Sequence, residues 1–149
     1  MSDIGRTRVS LRIVGVDLIP EEISNLLGCF PTMSAEAGDA DPRSKYEART
    51  VKVGFWHLGL DEEDSSVLDK KLEELLNSLT NDLEVWKQIT SRFRVDIFCG
   101  LFLDSFNEGF ELTPSLLKRL AERNLKIGFD IYSYSDERQN EPPNIKGNR

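Results

Sequence analysis

The chain has 149 residues, 39% apolar and 30% charged, and a formal net charge of −7. That length buries enough surface for one domain to fold without a disulfide or structural metal, and the composition excludes a disordered chain. No run of about 18 apolar residues and no apolar leader occurs, so neither a membrane span nor a secretory signal is predicted and a cytoplasmic location is expected; the negative charge disfavours nucleic acid and anionic membranes as partners.

In chain order, the first element is a strand in which Val9, Leu11 and Ile13 alternate with Ser10 and Arg12. A helix follows in LIPEEISNLLG, with Pro20 in the first turn, Glu21 and Glu22 near the positive end of the dipole, an apolar stripe of Ile19, Ile23, Leu26 and Leu27, and Gly28 as a left-handed stop. Residues 33 to 48 hold turn formers without a sustained period and read as an irregular loop. Val51, Val53 and Phe55 then alternate with Lys52 and Trp56, which predicts a second strand with Trp56 facing outward.

SSVLDKKLEELLNSL predicts a serine-capped helix with Leu68, Leu72, Leu75, Leu76 and Leu79 on one face, and DLEVWKQITSR a second helical piece with Leu83, Trp86 and either Ile89 or Thr90 inward. In FRVDIFCGLF, Phe93, Val95, Ile97, Cys99 and Leu101 oppose Arg94, Asp96, Phe98 and Gly100. GFEL, residues 109 to 112, suggests a short hairpin strand. LTPSLLKRLAERN is a helix capped by Thr113, opened by Pro114 and ended at Asn124, and Leu125, Ile127, Phe129 and Ile131 form the inner face of a last strand whose outer face holds Lys126, Asp130 and Tyr132.

Each strand has one apolar face and each helix one apolar stripe. Helices on both sides of the sheet would need strands apolar on both faces. The prediction is therefore an α+β two-layer sandwich, a mainly antiparallel sheet of four or five strands with helices on one face and a split βαβ-like topology. One domain is expected over residues 1–134, followed by a disordered polar tail over 135–149.

The residues give little chemistry. Cys99 shares the phase of Val95, Ile97 and Leu101, so it reads as an apolar filler rather than a nucleophile, and the lone histidine, His57, shares the phase of Val53 and Phe55. Cys29 and Cys99 are expected to stay reduced. One histidine and two distant cysteines do not make a zinc site, and Asp61, Glu62, Glu63 and Asp64 lack the alternation and glycine of a calcium loop. No phosphate-binding glycine loop is present. No metal, cofactor or catalytic residue is predicted. The outward aromatics Trp56, Phe98 and Tyr132, among Arg94, Asp96, Lys52 and Asp130, suit a protein anchor or the stacking of bases, and the absence of a basic stripe around them argues against RNA. A covering loop, helix or second copy is the structural alternative.

The blocks SLRIVGVDLIPEEISNLLGCFPT, GFWHLGL and VDIFCGLF…GFELTPSLLKRLAERNLKIGFDIY resemble the bacterial family known as domain of unknown function 4279, over most of residues 9 to 134. The resemblance implies a small α+β domain and carries no catalytic residue. Its signature positions here, Gly54, Trp56, Gly100, Gly109, Phe110, Thr113 and Pro114, read as turn, cap and packing positions.

The expected function is a non-enzymatic cytoplasmic protein-binding domain, an immunity or antitoxin-type inhibitor of a basic toxin. Complementary charge would speed the encounter and aromatic anchors would hold it. Its contacts would be Trp56, Phe98, Tyr132, Asp96, Asp130, Glu108, Asp61, Glu62, Glu63 and Asp64. The alternative is a small-ligand-binding or regulatory domain, monomeric or a homodimer through the open sheet.

Overall fold

A computed structural model describes residues 2–45, 49–60 and 67–133. Among them run β1 (Ser2–Asp3), β2 (Arg6–Gly15), α1 (Pro20–Leu27), β3 (Met33–Ala35), β4 (Gly54–Leu60), α2 (Leu68–Asn77), α3 (Leu83–Arg92), β5 (Arg94–Phe102), β6 (Glu108–Gly109), α4 (Pro114–Glu122) and β7 (Lys126–Tyr132). Five strands form one sheet in the order β3-β4-β2-β5-β7. All its pairings are antiparallel except β5 with β7, which α4 joins as a parallel crossover between direct neighbours, so the βαβ unit is unsplit. The α+β sandwich is thus as expected.

Inner residues of β2, β4 and β5 meet residues of all four helices in one apolar cluster: Val9, Leu11, Ile13, Trp56, Ile97, Cys99 and Leu101 lie against Ile23, Leu27, Leu72, Leu75, Leu76, Trp86, Ile89, Leu116 and Leu120. Helices therefore roof one face only. Both buried indoles satisfy their N–H: Trp56 Nε1 donates to Ser24 Oγ at 3.0 Å and Trp86 Nε1 to the Thr80 carbonyl at 2.8 Å. The α2 stripe carries one polar exception. Lys71 is 1% exposed and its Nζ donates to the Thr7 carbonyl at 2.8 Å, tying α2 to β2.

The expected stops hold. Gly28 ends α1 at φ 71 and Asn124 follows α4 at φ 56, both left-handed. Thr113 Oγ1 accepts from Leu116 N at 3.3 Å. The residue before α2 is Val67, without a side-chain cap, and the two serines ahead of it lie outside the described residues.

Three expectations change. First, the strand predicted over 51–56 begins only at Gly54, and Val51 and Val53 precede it. In the register Ile13↔Trp56, Trp56 faces the helices and is fully buried, while Phe55 and His57 face the other way. A shift of one residue in a strand exchanges its faces. Gly54 marks the entry because a Cβ there would stand 3.1 Å from the carbonyl oxygens of both Gly15 and Leu18. Second, residues 33–35, read as loop, are edge strand β3. Beyond it residues 38–41 return against 49–51, with Gly38 N donating to Val51 O at 2.7 Å and Val51 N to Asp39 O at 2.8 Å. This flap lays Val51 on Phe55, Val14 and Ala35 and covers part of the outer sheet face. Third, the short strand near Glu108 pairs in parallel with β1 instead of forming a hairpin. The expected tail, 135–149, lies outside the described residues.

On β7 the inner-face phase is right but the burial is not. Phe129 and Ile131 are 38% and 53% exposed because β7 is the sheet edge.

Candidate functional site

The sheet register sets the outer face in rows across the strands. His57, Arg12, Asp96 and Lys126 are direct neighbours on β4, β2, β5 and β7, so Arg12 and Lys126 stand two strand spacings apart, about 10 Å. The next row holds Phe55, Val14 and Arg94. Between these rows and the flap opens a cleft of about 880 Å³ whose lining includes Arg12, Arg43, Arg49, Lys52, Arg94 and Lys126. Its carboxylates are Asp41 and Asp96. In a chain of net charge −7 this is a concentrated basic patch.

Both carboxylates are already committed. Arg12 Nε and Nη2 donate to the two oxygens of Asp96 at 2.8 and 2.6 Å. Arg43 Nε and Nη2 donate to those of Asp41 at 2.9 and 3.0 Å, which holds the Asp41 carboxyl below its ordinary range. Each arginine also lies on a ring, Arg12 at 4.7 Å over Phe98 and Arg43 at 4.2 Å over Phe55. Among the described residues, Lys52, Arg94 and Lys126 have no carboxylate partner. The cleft can therefore accept an anion on three cations while two flat, neutralised guanidinium groups form part of its wall.

His57 stacks obliquely on Phe55, 4.8 Å between centroids. Burial, then Arg12 and Arg43, push its pKa below the ordinary 6.5, against a smaller opposing pull from Asp96. The native state thus keeps the imidazole neutral where the unfolded chain takes up a proton. Stability is expected to fall as pH drops through 6.5 and to level off below the native pKa. Urea midpoints of wild type and His57→Gln between neutral and mildly acid pH check this: the variant should show the shallower decline. An anion in the cleft should raise the His57 pKa.

Of the expected contact residues, Trp56 is in the core and Phe98 is half-buried under Arg12. Tyr132 is exposed, stacked on Phe102 at 4.8 Å and 5°, with its hydroxyl donating to Asp130 Oδ2 at 2.8 Å. Arg6 lies 4.9 Å over the Phe102 ring. Asp96 belongs to Arg12. Glu108 Oε1 accepts from Gly5 N at 3.3 Å and Asp104 N at 2.9 Å, so it organises a turn. Asp61, Glu62, Glu63 and Asp64 lie outside the described residues. The residues that sequence reasoning missed are Arg12, Arg43, Arg49 and Lys126 as a group. The signal was present in part, because Arg12, Lys52, Arg94 and Lys126 all fall on positions that alternation turns outward.

Cys99 and His57 face opposite sides of the sheet. Burial raises the Cys99 thiol to about 12, whereas Cys29 is half-buried at the end of α1. Iodoacetamide at neutral pH is expected to label Cys29 alone in the folded protein and both cysteines after denaturation; mass spectrometry of the adducts reads the result.

No helix among the described residues is long and apolar enough to cross a membrane. The family model described as Domain of unknown function (DUF4279) matches residues 5–134. No curated protein and no solved structure matches the chain.

Proposed function

The chain belongs to the DUF4279 family, and we propose that it is a non-enzymatic binding domain for a small anionic ligand seated between the open sheet face and the flap. The observation that carries this reading is the clustering of six Lys and Arg side chains on one cleft of ligand size, with the only two carboxylates among its described lining already paired. Like charges brought together in this way repel one another, and a bound anion relieves the repulsion.

Calorimetric titration with pyrophosphate and citrate tests the proposal. Saturable binding that weakens steeply with added salt is expected. Silence with both anions at low salt would sink it.

The total charge of −7 favours the alternative of a basic protein partner such as a toxin domain. That reading needs an acidic docking surface, yet Asp96, Glu108 and Asp130 are engaged within the fold. Stoichiometric binding of a basic protein by a chain that ignores small anions would make it the better account.

A further inference from the structure

We propose that the anion is a mononucleotide, its phosphates on Lys52, Arg94 and Lys126 and its base laid on the guanidinium planes of Arg12 and Arg43. The inference deepens the anion-binding reading and rests on it. A receptor for a bare inorganic anion would leave its arginines available to the ligand's charge. Here two arginines of the cleft are built differently. Each is forked to an aspartate, with Arg12 held by Asp96 and Arg43 by Asp41. Each is also backed by a phenylalanine ring. The carboxylate neutralises the charge and the ring fixes the plane, so what remains toward the cleft is a flat, weakly hydrated π surface. The Arg12 and Arg43 side chains stay 40% and 48% exposed.

Guanidinium planes of this kind stack nucleobases. Both arginines line the cleft together with His57 and Phe55, so their planes are within reach of a ligand held there. Three unpaired cations match the charge of a nucleoside diphosphate, and about 880 Å³ accommodates one.

The test compares pyrophosphate with ADP on the full chain by calorimetry. ADP is expected to bind about tenfold more tightly, the contribution of one stacked base. Arg12→Lys keeps a positive charge beside Asp96 but removes the fork and the plane. In that variant, and more fully in Arg12→Lys/Arg43→Lys, ADP should fall to the affinity of pyrophosphate while pyrophosphate itself is unchanged. Equal affinity for the two ligands in the wild type, or an ADP advantage that survives the double variant, would overturn the base platform and leave the anion site standing. Silence with both ligands would overturn the anion site itself. Affinity for single-stranded oligonucleotides that climbs with length beyond that for ADP would overturn the mononucleotide in favour of a nucleic-acid strand.

Discussion

Replacing Trp56 with alanine is expected to cost about 4 kcal/mol of folding stability, close to the upper end for a single core truncation. The indole is fully buried against the helices and its N–H is satisfied by Ser24, so its removal opens a cavity and leaves that hydroxyl without its donor. Against a total of about 5–15 kcal/mol for a domain, this leaves little margin. Tyr132→Ala, which removes an exposed ring stacked on Phe102, should cost about 1 kcal/mol or less. Urea midpoints at unchanged slope measure both. Similar small losses in the two variants would mean that Trp56 faces solvent after all, and with it that the register of β4 is wrong.

The second large effect concerns the cleft. Arg94→Glu combined with Lys126→Glu should abolish pyrophosphate binding without loss of stability. A unit charge about 5 Å from a bound anion contributes about 1 kcal/mol even at the dielectric of water. Reversing two such charges therefore changes the sum by about 4 kcal/mol, roughly a thousandfold in affinity. Both residues are exposed, so neither change removes a buried contact and the thermal midpoint should stay close to that of the wild type. Calorimetry and a thermal melt on the same samples separate this outcome from general unfolding. Undiminished binding would move the anion site elsewhere on the molecule.

The sheet was legible where alternation is long and unbroken. On β5, nine residues from Arg94 to Phe102 keep one phase, and Ile97, Cys99 and Leu101 are fully buried as that phase requires. On β4 the same method put Trp56 on the wrong face, because Val51 and Val53 share the parity of Phe55 although both precede the strand, Val51 packed in the flap and Val53 exposed. Apolar residues pack under a flap as readily as under a helix, so parity alone does not say which layer they meet. On β7 the alternation assigns Phe129 and Ile131 to the helix side but says nothing of how far the helices extend, and α4 leaves that edge partly uncovered. The cleft was not legible because its cations come from β2, the flap, β5 and β7 and become neighbours only through strand register. A whole-chain charge of −7 says nothing of such a local concentration: it argued for a basic partner, whereas the ligand proposed from the cleft is anionic.

The central strand of the sheet depends on a partner far along the chain. β2 pairs along most of its length with β5, joining residues as distant in the chain as Arg6 and Phe102. One edge of β2 therefore stays unpaired until the segment ending at Phe102 has been made. Loop closure of that span precedes any gain from the ladder, which favours slow refolding and leaves a long window for intermolecular association. Folding of this chain should begin in earnest only once the segment ending at Phe102 has cleared the ribosome.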